Sequence, residues 1–187
     1  MENILRTLEN FPELGQEAKA AFEEKLQWID LERGTLVEKS ESICDYLYFV
    51  TAGSLRSYYH KDNKDVTVSF TLPGEFTTSM YSFISRNPSY ESIEAMEPTR
   101  LARIHHDDLI GLFDSHHSLE RVYRLLLEQY YISLEEQLVF AKFKSARERY
   151  LELMENRPKV IQKASVGQIA SYLDMSIETL SRIRAKI

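Results

Sequence analysis

The chain has 187 residues, with 23 Lys and Arg against 29 Asp and Glu, a formal charge of −6, and 43% apolar content. This is ordinary globular composition, with length for one large or two small domains, and it excludes wholesale disorder. No apolar run reaches the ~18–20 residues of a membrane span, and the single cysteine, Cys44, excludes an internal disulfide, a CxxC redox pair and a four-cysteine iron–sulfur site within one chain. The first residues carry acids early and contain no apolar stretch of signal-peptide length. The expectation is a cytoplasmic protein that contacts no membrane.

Residues 1–30 are predicted to be helical, because Ala18, Phe22, Leu26 and Ile29 recur at three- and four-residue steps, with Ala21, Lys25 and Trp28 on the flanks. From about 34 to 104 the period drops to two. Val66 to Leu72 alternates apolar and hydroxyl residues, which predicts a strand with one apolar face. Tyr46 to Val50 is aromatic and β-branched throughout, as in a strand buried on both faces, and Leu55–Tyr59 and Ser92–Met96 are shorter strands. Gly34, Gly53 and Gly74 each stand beside a strand, where a glycine accepts positive φ. Asp62-Asn63 reads as a hairpin turn. Pro73-Gly74 ends a strand, Met80–Ile84 is short enough for one helical turn, and Pro88 and Pro98 frame the next strand. Several short antiparallel strands with regular turns predict a sandwich or jelly-roll barrel.

Helix returns at about 106. Ser118 to Ala141 contains no Gly or Pro and places Leu119, Tyr123, Leu126, Leu127, Tyr130, Leu134, Leu138 and Ala141 on one stripe. Such a helix is ~36 Å long. With Val122, Leu125, Ile132 and Val139 off the stripe, it has more apolar surface than one small β domain covers, and a second copy of the chain is the simplest cover. Ser145 starts the next helix with Glu148 at capping-box spacing, and Pro158 stops it. The expected organisation is an effector-binding domain over 1–117, a dimerisation helix over 118–142 and a DNA-binding domain over 143–187.

The charge is uneven along the chain. From Lys142 onward ten basic residues stand against five acids, so the last quarter carries +5 and the rest −11. A basic end on an acidic body suits an anionic partner that docks at that end. Within it, Ser165 is placed to cap a short helix with Val166, Ile169, Ala170 and Leu173 on its inner face. Asp174-Met175 makes the turn. Ser176 caps a second helix with Ile177, Leu180, Ile183 and Ile187 inward and Ser176, Glu178, Thr179, Ser181, Arg182 and Lys186 outward, Arg184 lying at the flank. Two short helices joined tightly, the second polar and basic outside, form a helix-turn-helix. Arg182 suits a two-pronged bond to guanine and Glu178 suits a cytosine amine, while Arg184 and Lys186 suit phosphate.

Ile169 to Leu173 followed by Ser176 to Ile183 resembles the helix-turn-helix of the Crp/Fnr transcription regulators. Leu47 to Arg56 resembles a strand and turn of their cyclic-nucleotide-binding-like jelly roll, and Leu72-Pro73-Gly74-Glu75-Phe76 resembles the start of its phosphate-binding cassette. The match spans nearly the whole chain in the right order. The resemblance implies an α+β chain: an N-terminal β jelly roll, a long dimerisation helix and a C-terminal all-α helix-turn-helix domain. It further implies a homodimer on a two-fold site in double-stranded DNA, a small-molecule effector in the β-roll, and contact with RNA polymerase. The effector pocket it points to is Gly74, Glu75, Phe76, Ser89 and Tyr90.

Two features depart from the family pattern. Cyclic-nucleotide-binding members place an Arg beside a small hydroxyl residue where this chain has Ser89-Tyr90, and Arg86 lies several residues too early unless a loop brings it round. Without that guanidinium a phosphate loses its best partner, so no cofactor is expected and cyclic AMP is disfavoured as effector. The sequence also ends at Ile187, straight after the second helix, where members continue into a β-hairpin wing. Either the domain is naturally wingless or the sequence is cut short of the wing, and fewer phosphate contacts would mean weaker non-specific DNA binding.

No enzyme is expected. Cupin-type metal chemistry in a jelly roll needs two close His and a Glu on one strand with a third His on a later one, and the β region offers His60 alone. The His105-His106 and His116-His117 doublets point their rings apart. Cys44 lacks a positive neighbour, and no P-loop, GxSxG or GxGxxG occurs. The remaining alternative is a ligand-binding regulator that acts through protein contacts without DNA.

Overall fold

The computed structural model describes residues 14–62 and 64–187, without the side chains of Phe140 and Ala141. The start of the expected first helix, the second residue of the Asp62-Asn63 turn and the end of the apolar stripe at Ala141 lie outside the described residues. In chain order the N-terminal half runs α1 (Gln16–Glu24), β1 (Gln27–Leu31), β2 (Leu36–Glu38), β3 (Tyr46–Ala52), β4 (Leu55–Lys61), β5 (Lys64–Thr71), β6 (Phe76–Thr77), α2 (Met80–Ser85), β7 (Ser92–Ala95), β8 (Thr99–His105) and α3 (His106–Ser115). Then come α4 (His117–Phe143), α5 (Ala146–Asn156), α6 (Pro158–Lys163), α7 (Val166–Tyr172) and α8 (Ile177–Arg184). Among the described residues no helix is long and apolar enough to cross a membrane.

The strands form two four-stranded antiparallel sheets, ordered β1-β8-β3-β6 and β2-β7-β4-β5. Between them lie Cys44, Tyr48, Val50, Leu55, Ile93, Ala95 and Leu101. The opposite face of the first sheet, through Phe49, Ala102 and Ile104, is covered by Phe22 of α1, Phe83 of α2, Leu109 and Leu112 of α3, and Leu119 and Val122 of α4. β3 is therefore buried on both sides, as its unbroken aromatic run predicts. Tyr48 donates to Glu38 Oε1 at 2.5 Å inside the sandwich, and burial pushes the Glu38 carboxyl up. Burial likewise raises the Cys44 thiol to about 11, so this cysteine is an inert packing group.

The structure corrects the extent of the first helix, which stops at Glu24. Trp28 and Ile29 sit in β1, paired with Ala102 and Leu101 of β8. Three-residue spacing could not reveal this, because the strand is too short to show its own period. A second correction concerns β5. Ser57 faces Ser69, but the next pair is Tyr58 and Thr67, so Val68 bulges out of the ladder. The bulge reverses the alternation. Thr67 and Phe70 share the outer face with Arg56 and Tyr58, whereas Val68 is left exposed. The predicted single apolar face therefore does not exist.

Arg56, only 6% exposed, is held on that outer face by Asp65 and Glu94 at 2.9 Å each and by the Tyr58 ring at 4.1 Å. Asp30, Arg100 and Trp28 make a looser cluster on β1 and β8.

Gly53 turns the chain between β3 and β4 with φ at +84°, and a Cβ there would lie 2.3 Å from Thr99 Oγ1 and 2.6 Å from the Pro98 carbonyl oxygen. Both the left-handed backbone and the backbone clash oppose any side chain. Gly53→Ala is expected to lower stability by ~2 kcal/mol or more, read from the midpoint of urea unfolding; an unchanged midpoint would show that the turn can shift.

Candidate nucleic-acid interface

The C-terminal helices form as their caps dictate. Ser145 and Ser165 each make a full capping box, with Glu148 and Gln168, and Ser176 accepts from the Thr179 N–H at 3.2 Å at the start of α8. Pro158, expected only to stop a helix, also begins α6 at its first position, where its missing N–H costs nothing. Asp174 takes positive φ in the turn between α7 and α8. Arg149 clamps that turn by donating to the carbonyls of Leu173 at 3.0 Å and Asp174 at 3.2 Å, and anchors it to Lys144 O at 2.9 Å. No sequence spacing marks Arg149 for this role.

Leu180 and Ile183 of α8 pack with Ile169, Ala170, Leu173, Tyr150, Leu153 and Val160. Three residues assigned inward from the sequence are not buried: Val166, Ile177 at 52% exposed and Ile187. Each lies at or just past a helix end, where little else of the domain covers it, although the Ile177 side chain still reaches Gly167 of α7. The outward assignments Ser176, Glu178, Ser181, Arg182 and Lys186 are exposed and Thr179 is half-buried. Arg182 lies back along its helix, with Nη2 donating to Thr179 Oγ1 at 3.2 Å. The N–H groups that begin α8 and the Ser176 hydroxyl hold the Glu178 carboxyl below its usual range. Arg184 differs from the rest: it is half-buried, donates to the Tyr150 hydroxyl at 3.0 Å and lies over that ring. Its guanidinium braces the domain.

The residues assigned to an effector pocket do not converge. Ser89 is buried and its hydroxyl lies within hydrogen-bond distance, 2.8 Å, of both Ser79 Oγ and Glu91 O, with one proton to donate between them. Burial raises the nearby Glu91 carboxyl, against a hydrogen bond from Ser79. Tyr90 stacks on Tyr81 at the surface, with ring centroids 4.5 Å apart. Phe76 packs on Phe49 instead of lining a cavity. Gly74 provides a positive-φ turn, which directs Glu75 toward the C-terminal domain, where it meets Arg157. Arg86 does not reach Ser89 with its guanidinium, which is bonded to the carbonyls of Cys44 and Phe83 and to Asp45.

The long helix also divides. Leu119 is buried in the chain's own core, with Tyr123 and Leu126 packed beside it, so these three members of the expected dimer stripe cover their own domain because they lie nearest the sheet. Leu127 lines a shallow hollow with Arg124, Glu128, Tyr131 and Ile132. Beyond it Tyr130, Tyr131, Leu134, Leu138 and Phe143 stand exposed, Leu138 at 62% and Phe143 at 81%.

Among the described residues no group of three or more His, Cys, Asp or Glu is placed to hold a metal. His105 caps α3 and meets Tyr46 edge-on, and His106 meets Phe83.

Residues 28–116 match the cyclic nucleotide-binding domain family, and the chain as a whole has the fold of the Crp/Fnr regulators. Its fold is similar to that of FixK2 from Bradyrhizobium japonicum, at a TM-score of 0.74 and 19% identity over 86% of this chain and 83% of that one. It is also similar to a protein from Eubacterium rectale assigned to the Crp/Fnr family of transcriptional regulators, at a TM-score of 0.72 and 21% identity over 96% and 85%. The catabolite activator protein of Thermus thermophilus matches at a TM-score of 0.60 and 20% identity over 92% and 83%. No curated protein sequence matches the chain significantly.

The caps make a direct prediction. Ser176→Ala removes the acceptor at the start of α8 and is expected to cost ~1 kcal/mol, measured by urea unfolding, with Ser181→Ala on the exposed face close to neutral. Equal effects would mean that the cap contributes nothing.

Proposed function

We propose that the chain is a homodimeric, sequence-specific DNA-binding regulator of transcription, with α8 reading the major groove. The observation that carries this reading is the division of α8 into a buried Leu180–Ile183 side and an exposed side of Ser176, Glu178, Ser181, Arg182 and Lys186. A helix seated on its apolar side and polar on the other fits a groove about 12 Å wide. The basic C-terminal quarter supplies attraction to phosphate. The second half of α4, apolar and uncovered, supports pairing with a second copy, which places two reading helices on a two-fold site. RNA polymerase is a partner only through the likeness to transcription regulators.

An effector in the β-roll is part of the same reading, and it is not cyclic AMP. Ser89 occupies the position where the family's phosphate-binding Arg is expected, its hydroxyl is already bonded to Ser79, and the Glu91 carboxyl is hydrogen-bonded by that same Ser79. A phosphate placed there would face a negative group with no guanidinium to offset it.

DNA fragments selected from a random pool test the reading by fluorescence anisotropy. The wild-type protein is expected to prefer a two-fold sequence. Arg182→Ala is expected to weaken that preference by ~1–3 kcal/mol at one position per half-site. Equal binding of both proteins to every sequence would contradict specific readout. Leu134→Asp with Leu138→Asp is expected to convert a dimer to a monomer in sedimentation, and a monomeric wild-type protein would remove the two-fold model. Calorimetry with cyclic AMP is expected to give no heat of binding, and micromolar binding would overturn the argument from Ser89.

A further inference from the structure

The C-terminal domain is fastened to the outer face of β5. The Phe70 ring meets Tyr172 of α7 edge-on, with centroids 5.2 Å apart, and Phe70 belongs to the same buried cluster as the helix-turn-helix core. The Thr67 N–H, turned outward by the bulge, donates to Ser171 Oγ at 2.9 Å. Glu97, itself bonded by Ser54 at 2.7 Å, pairs with Lys163 of α6.

The strongest polar contact sits beside these. Arg157 Nη2 meets the two carboxylate oxygens of Glu75 at 2.8 and 2.7 Å and the carbonyl oxygen of Phe70 at 3.1 Å. Both partners are rigidly based. Glu75 Oε2 also accepts from the Leu72 N–H at 2.9 Å, which fixes the carboxylate on its turn. Arg157 is at once the last cap of α5 and the first of α6. Facing α4, the turn before α8 is tied through Arg149 to Lys144 O at 2.9 Å, and Lys144 pairs with Glu152 of α5. A cleft of about 390 Å³ separates Ser133, Glu136 and Gln137 of α4 from Arg149 and Asp174, and Arg157 and Val68 form part of its wall. Among the described residues, the contacts at β5 and the bond from Arg149 to Lys144 O together hold α8 relative to the long helix.

We propose that Glu75 and Arg157 are a positioning pair that fixes where the reading helix stands relative to the long helix, and so fixes the separation of the two reading helices in a dimer. The inference rests on the DNA-binding reading and deepens it. The reading face of α8 stays exposed in the fastened pose, so the pair sets geometry and does not mask the interface. Glu75, which resembles a ligand-contacting residue in the sequence, here joins two domains.

The test compares wild type with Glu75→Gln, Arg157→Gln and the double variant. Glutamine at 75 keeps an acceptor for the Leu72 N–H and removes only the charge. Both side chains are partly exposed, so all three variants are expected to fold, with thermal midpoints within a few degrees of wild type. In hydrogen exchange, segments 64–72 and 166–175 are expected to lose protection together in each single variant. On two-fold DNA with the half-site spacing varied by one and two base pairs, wild type is expected to prefer one spacing about tenfold. Each single variant is expected to lose that preference, and the double variant to be no worse than either, because partners of one interaction are not additive. Unchanged exchange and spacing preference in the single variants, or effects that add in the double, would overturn the pair's role. If wild type bound no DNA at any spacing, the DNA-reading part of the proposal would fall with the regulator reading, and the exchange data alone would decide whether the pair holds the domains together.

Discussion

The two halves of this chain meet on one surface, the outer face of β5, and that surface exists because Val68 bulges. Without the bulge, the alternation of Val66 to Leu72 would carry Thr67 to the inner face. With it, Thr67 and Phe70 both point outward, one offering an N–H to Ser171 and the other a ring to Tyr172. β5 is also the edge of its sheet. An edge strand with an open N–H invites pairing with other chains, and here α7 covers it. The bulge turns Thr67 to the side where Phe70 already faces α7, and the covered edge and the buried ring together seat the C-terminal helices.

The same economy runs through the long helix. Its first turns complete the core of the N-terminal domain, and its last turns leave that domain with tyrosines and leucines uncovered. One rigid element thus links the packing of the β-sandwich to a surface suited to a second copy. A change at either end would be transmitted along the rod and through the fastening at β5. On the proposed reading, a rigid-body shift of the C-terminal helices would have to break the small set of contacts at β5.

Much of this was legible in the sequence because the signals are local. Ser145, Ser165 and Ser176 marked helix starts to the residue, and the Leu and Tyr stripe marked the long helix. The aromatic run at Tyr46–Val50 marked a strand buried on both faces. What escaped was set by distant residues. The Val68 bulge depends on β4, and the length of the first helix depends on β8 pairing with Trp28 and Ile29. The effector pocket shows the same limit. Gly74-Glu75 looked like a ligand cassette by resemblance, yet Glu75 engages Arg157, 82 residues away in sequence. Arg149 was legible only as positive charge and Arg184 as a phosphate contact, and both guanidinium groups are bonded within the fold. Helix ends misled for a simpler reason: Ile177 and Ile187 fit the apolar stripe but stand at the ends of α8, where most of each side chain stays exposed.

The central claim is that paired copies present two α8 helices to consecutive major grooves. Hydroxyl-radical footprinting on a selected DNA fragment tests it most directly. The account predicts two protected patches on one side of the duplex, related by a two-fold axis and about 34 Å apart, one helical turn. A single protected patch, or uniform protection without a boundary, would contradict it.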